Sequence, residues 1–159
     1  MPSLAQTVAI GAARTLLSFT PARDREQAEF DRDLREARDA FERFAALEAA
    51  HDPALVDLYA DEGVVIERWF EDGYERTPRE YQLSRYKELL IQSLSISRKA
   101  NEHSQHRHVS YERVAPGWVV VRSQRDYTHS RARAPYQAVL HRGGDGRWRV
   151  TKEIATIVL

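Results

Sequence analysis

Residues 106–127 read HRHVSYERVAPGWVVVRSQRDY, and the proline-glycine pair at 116–117 is the point on which the fold turns. Proline presets φ for the first central position of a type II turn, and glycine accepts the positive φ of the second. Residue types alternate on both sides of that pair, the period-2 mark of a strand. His106–Val114 and Trp118–Tyr127 therefore read as the arms of a hairpin. Downstream, Tyr136–Arg142 and Arg147–Leu159 read as two more strands, joined across the glycine-rich Gly143-Gly144-Asp145-Gly146. The expectation is an antiparallel meander.

Counting outward from Ala115 opposite Trp118 sets the faces. One face pairs Val114 with Val119, Glu112 with Val121, Ser110 with Ser123, His108 with Arg125 and His106 with Tyr127. The other pairs Arg113 with Val120, Tyr111 with Arg122, Val109 with Gln124 and Arg107 with Asp126. The first face has an apolar end of valines and a polar end of His106, His108, Arg125 and Tyr127, as a pocket with a dry floor and a polar mouth requires. A one-residue slip would exchange the faces of a strand, so the site rests on this count.

Upstream, helical periodicity dominates. Asp24–Ala50 carries Phe30, Leu34, Ala37, Phe41, Phe44 and Leu47 on one stripe, with charges elsewhere. His51-Asp52-Pro53 ends it, and Asp52 can cap a short second helix. Val64–Phe70 reads as a strand that turns at Glu71-Asp72-Gly73 into Tyr74-Glu75-Arg76. Thr77-Pro78-Arg79-Glu80 has the form of a capping box and predicts a third helix over Pro78–Leu94. Ser95–Gln105 reads as a loop. Residues 1–23 form an arm or short helix that could be a weak export signal, although it lacks a basic start and Arg14 interrupts it. Residues 24–159 read as one domain.

Charge excludes several classes of partner. The 24 basic and 24 acidic residues cancel, so no global field attracts nucleic acid or an anionic membrane. No apolar run approaches the roughly 20 residues of a membrane span. With no cysteine there is no disulfide framework and no thiolate chemistry. All but three of the basic residues are arginine; base composition explains that more simply than anion recognition does.

Helices followed by a meander make an α+β layout, a curved antiparallel sheet wrapped by N-terminal helices. That order resembles the nuclear transport factor 2-like superfamily, also called the SnoaL-like or cystatin-like cone fold. The residues that carry the resemblance are Phe41-Glu42-Arg43-Phe44, Leu58-Tyr59-Ala60-Asp61-Glu62-Gly63-Val64-Val65, Val139-Leu140-His141-Arg142 and Gly146-Arg147-Trp148-Arg149-Val150. The resemblance covers about Arg25 to Val158. It implies a cone-shaped pocket and often a homodimer. It does not select a function, because the superfamily holds isomerases, dehydratases, epoxide hydrolases, cyclases, transport adaptors and assembly domains.

Three functions follow as expectations: binding of a small apolar or aromatic molecule without turnover, a lyase or isomerase reaction, or assembly without ligand. For catalysis the candidates are His108 as general base, Arg125 as holder of an oxygen and Tyr127 as orienting group. His106, Tyr59, Trp69, Ser110 and Ser123 are candidates for lining the pocket. The His-x-His pair could bind metal, but Arg125 opposite disfavours a second cation, so neither metal nor cofactor is expected. The expected partners are a small molecule and a second copy of the chain, with no nucleic acid and no membrane.

Overall fold

The computed structural model describes residues 21–128 and 133–158. The arm expected over residues 1–23 falls almost wholly outside them. Helix α1 spans Pro21–Ala49 and leads through a 3-10 helix, Pro53–Leu58, into strand β1, Tyr59–Glu71. Asp52 caps the 3-10 helix, accepting from the Ala54 amide at 2.9 Å. Strands β2 (Tyr74–Glu75) and β3 (Arg79–Gln82) follow, then α2 (Leu83–Lys99), β4 (Ser104–Ala115), β5 (Trp118–Tyr127), β6 (Arg133–Arg142) and β7 (Trp148–Val158).

The strands form one curved, unclosed sheet in the order β2-β1-β7-β6-β5-β4, with β3 also paired to β1. The α+β class and the wrapping helices are as expected, but the sheet is mixed. The first and last long strands lie side by side and parallel, Val65 opposite Glu153 and Glu67 opposite Ala155. No local pattern announces a pairing between residues so far apart in the chain.

The capping-box expectation is also corrected. Arg79–Gln82 pairs with β1 as a strand, Val65 opposite Tyr81, and α2 starts five residues later than predicted and runs on to Lys99. Pairing with the exposed flank of β1 satisfies more backbone groups here than another helical turn would. The β1–β2 turn behaves as read. Asp72 and Gly73 take φ of 52° and 81°, the two positive values a tight hairpin wants.

The core lies between α1 and the concave face of the sheet. Phe41, Phe44, Leu55, Val65, Leu83, Val119, Val121 and Leu140 are all buried there. Burying each large side chain is worth roughly 1.5–3 kcal/mol. α2 covers the β1 end of the same face. One polar anchor fixes α1 to the far end of the sheet. Asp33, 0% exposed, accepts from Arg113 Nε at 2.8 Å and from the Gly117 amide at 2.9 Å, and Arg142 Nη1 stands 3.2 Å away. No helix among the described residues is long and apolar enough to cross a membrane.

Candidate functional site

Gly117 turns with φ of 72°, and Ala115 faces Trp118 as the sequence requires. The register then departs from simple counting. Val114 is an extra residue before the turn, so Arg113, not Val114, faces Val119. Val114 is consequently 54% exposed rather than part of an apolar floor. Further along, His108 and Val109 together oppose Ser123, a second two-against-one bulge. His106 therefore faces Arg125, the place expected for His108. Each bulge reverses the faces of β4, so Val109 and Tyr111 pack against the core and His106 points inward again.

His108 sits at the bulge with φ of 52° and is exposed. Ser110 is exposed too, its hydroxyl toward the Arg122 carbonyl at 3.5 Å. The proposed pairing of His108 with Arg125 does not form, and neither His108 nor Ser110 reaches the interior. The outer Arg107–Asp126 ion pair does form, at 2.9 Å.

Arg125 is the centre of the interior polar cluster. It is only 7% exposed, and its guanidinium lies 5.1 Å from the ring centres of both Tyr127 and Tyr136. Nη1 donates to Glu48 Oε1 at 3.0 Å and stands 4.0 Å from Glu153 Oε1. Its Nε has no hydrogen-bond partner among the described residues, and neither has the Tyr136 hydroxyl. Glu48 comes from the last turns of α1, where its stem continues the Phe41–Phe44 stripe. Its other oxygen pairs with His106 Nε2 at 2.9 Å. Burial works against the Glu48 carboxylate, but the Arg125 charge and bonds from His106 and Ser104 outweigh it, and its pKa falls to about 2.

Glu153 has the opposite fate. It is 1% exposed on β7, between Val65 and Ala138, and accepts a hydrogen bond from the Tyr59 hydroxyl. Burial dominates over Arg125 and Tyr59, and Glu48 and Glu67 add repulsion, so its pKa is pushed up to about 7. One arginine thus holds two carboxyl groups in different states. Burial and the neighbouring Glu153 also hold the Tyr59 phenol protonated far into the alkaline range.

A cavity of about 140 Å³ adjoins this cluster between α2, the end of α1 and the sheet. Leu90, Leu94, Ala155 and Ile157 supply apolar wall; Arg125, Glu48, Glu67, Tyr86 and Tyr127 supply polar groups. Burial raises the Glu67 pKa against the lowering effects of Trp69 and Arg79. A larger groove of about 890 Å³ lies elsewhere, and among its lining residues Asp57, Asp61, Asp145 and Arg147 are exposed. The smaller cavity has the desolvated, converging polar groups that ligand sites use.

Of the predicted site residues, Arg125 and Tyr127 line the cavity. His106 stands behind Glu48, and Ser123 stands behind His106, Oγ to Nδ1 2.8 Å. Tyr59 borders the larger groove while its hydroxyl enters the buried cluster. Trp69 lies under the Arg79 guanidinium at 4.6 Å, outside the cavity wall. Glu48, Glu67 and Glu153 were not foreseen. Among the described residues no group of three or more His, Asp or Glu side chains could hold a metal ion.

No protein-family model matches the chain, and no curated protein matches it by sequence. Solved structures do. A scytalone dehydratase-like protein of Novosphingobium aromaticivorans is similar at a TM-score of 0.56 and 14% identity, over 81% of this chain and 86% of that one. A protein of the DUF3225 family from Pectobacterium atrosepticum gives 0.59 and 14%, over 78% and 89%. A ketosteroid isomerase-like protein of Shewanella frigidimarina gives 0.54 and 15%, over 74% and 91%. These are nuclear transport factor 2-like proteins, and the fold of this chain is theirs.

Proposed function

We propose that the protein binds a small molecule, about the size of one six-membered ring, in the cavity beside Arg125. A cavity of about 150 Å³ is known to take benzene, and this one is about 140 Å³. The observation that carries the reading is Arg125 itself, a buried cation that lines this small cavity beside Tyr86 and Tyr127. A guanidinium has only donors to offer, so the complementary ligand group is an acceptor oxygen. Glu48 and Glu67 on the same wall disfavour an anion. The ligand is therefore a neutral, mostly apolar or aromatic molecule with one acceptor oxygen. Calorimetry with phenol, benzyl alcohol and cyclohexanone tests this. Saturable binding to the wild type, lost when Leu90→Trp fills the cavity, is the expected result. Absence of binding by all three would refute it.

A second reading has one observation in its favour. Glu67 faces the cavity with a raised pKa, as a general acid or base of an isomerase or lyase would. In that case Glu67→Gln abolishes turnover and leaves binding in place. The partner reading extends to a second copy of this chain. Val64, Ile66, Val139 and Ile154 form a partly exposed apolar patch on the sheet face away from both helices, and a self-complementary patch of this kind suits two-fold pairing.

A further inference from the structure

We propose that the ligand of the cavity beside Arg125 carries polar groups at both ends of its ring, an acceptor oxygen held by Arg125 and a hydroxyl that donates to Glu67. The proposal rests on that cavity being a binding site and names the class of ligand it takes. The class is neutral rings with a carbonyl and a hydroxyl at opposite positions, of which 4-hydroxycyclohexanone is the simplest.

Strand order sets the two polar groups apart. Glu67 belongs to β1 and Arg125 to β5, and β7 and β6 lie between them. Glu67 stands opposite Ala155, Ala155 opposite Tyr136, and Tyr136 opposite Ser123, two residues from Arg125 on the same strand. Three strand spacings would put the two backbones about 14 Å apart on a flat sheet. The length of the arginine side chain and the curvature of the sheet shorten that gap. Glu67 feels the guanidinium across it: burial raises the Glu67 pKa, and Arg125 follows Trp69 and Arg79 among the groups that oppose the rise. Arg125 is held at its own end by Glu48 Oε1, 3.0 Å from Nη1, and by the rings of Tyr127 and Tyr136.

Between those ends the cavity is apolar. β7 supplies Ala155 and Ile157, and α2, which packs on β1, supplies Leu90 and Leu94. A ring seated there meets carbon on its faces and polar groups only at its two ends, the arrangement that fixes orientation in a ligand site. The ends differ in what they ask for. The guanidinium can only donate, whereas an ionised carboxylate can only accept, and its two oxygens have lone pairs for more than one donor. A ring with an acceptor at each end would turn an oxygen lone pair toward Glu67. A site that pairs a ligand hydroxyl rejects the analogue lacking it, because its own polar group is then left unmatched. Glu67 is therefore the residue that selects the hydroxylated ring.

The test is calorimetry on the full chain at about pH 8, well above the ordinary carboxylate range, with cyclohexanone, 4-hydroxycyclohexanone and 4-methoxycyclohexanone. In the wild type the hydroxyl should tighten binding about tenfold, the size of one hydrogen bond. The methoxy compound has no donor and should show no such gain. Glu67→Leu, close in size but without an acceptor, should bind cyclohexanone as the wild type does and lose the preference for the hydroxyl. Glu67→Gln keeps a carbonyl acceptor and should retain part of it. If Glu67→Leu does not fold, the comparison of hydroxyl with methoxy in the wild type decides alone. A ring that binds without any gain from the hydroxyl, an equal gain from methoxy, or a gain that survives in Glu67→Leu would overturn the role of Glu67 and leave the cavity reading standing. If neither cyclohexanone nor its hydroxyl derivative binds, the inference falls, and phenol and benzyl alcohol decide the cavity reading separately.

Discussion

Tyr59 and Glu153, 94 residues apart in the chain, share a buried hydrogen bond in which the phenol donates to the carboxyl group. That contact joins the beginning of β1 to the middle of β7. It also keeps an ionisable group in a place where its charge is unwelcome.

The first prediction is a two-sided pH dependence. The Glu153 pKa rises from 4.5 to about 7 on folding, so its contribution is complete below about 4.5 and lost as pH rises through 7. Glu48 falls from 4.5 to about 2, so its contribution is complete above 4.5 and lost as pH falls toward 2. Between pH 5 and 8 the wild type should lose melting temperature relative to Glu153→Gln, by roughly 5 °C or more. Parallel curves for the two proteins would show that Glu153 does not titrate as described.

Removing one member of the buried pair should cost more than removing both. Glu48→Gln leaves the Arg125 charge buried with only the more distant Glu153, a loss of about 3–5 kcal/mol. Adding Arg125→Met to that variant should restore part of it. Denaturant unfolding of the two single variants and the double variant gives the coupling, and simple additivity would contradict this account.

At the other end of α1, Asp33→Ala should cost about 3 kcal/mol or more, because it strands Arg113 and the Gly117 amide at once. Exposed acidic neighbours on the same helix offer the control. Asp39→Ala should change stability by less than about 0.5 kcal/mol.

Two glycines should respond unequally to alanine. At Gly63, with φ of 144°, an added Cβ would stand 1.9 Å from the Thr151 carbonyl oxygen, so Gly63→Ala should not give folded protein. Gly73 has φ of 81° and open space around it, so Gly73→Ala should fold with a loss near 1 kcal/mol. Soluble yield and thermal melts distinguish the two.

Self-association is checked by sedimentation at micromolar concentration. The wild type should sediment as a dimer, and Ile154→Glu on the outer face should sediment as a monomer with its fold retained. A wild type that is already monomeric removes the two-fold proposal.

The sequence made the elements legible and left the side-chain meetings hidden. Trp118–Tyr127 has the bounds its alternation predicts, and the Pro116-Gly117 turn places Ala115 against Trp118. Arg125 and Tyr127 could be assigned inward from that turn alone. His108 could not be excluded, because a bulge carries no reliable residue signature; one bulge lies between it and the turn, and a second contains it. The same limit hid Glu153. Parity from Trp148 and Val150 selects Lys152 as the inward residue, yet the irregularity between Val139 and Leu140 opposite shifts the inner face to Glu153. Glu48 and Asp33 looked like ordinary charges on a solvated helix. Only the curvature of the sheet brings arginines from three different strands, Arg113, Arg125 and Arg142, against those two carboxylates.

The parallel pairing of β1 with β7 also sets a timetable. β7 is the last described strand to leave the ribosome, yet it occupies an interior place between β1 and β6. Until it is made, β1 with its two short partners cannot join the β4–β6 meander, and the apolar edges of both halves stand open. The closing contacts span most of the chain, which predicts slow folding for a domain of this size. A nascent chain stalled before residue 148 would therefore hold two unpaired sheet fragments, and it is in that interval that the protein most needs protection from aggregation.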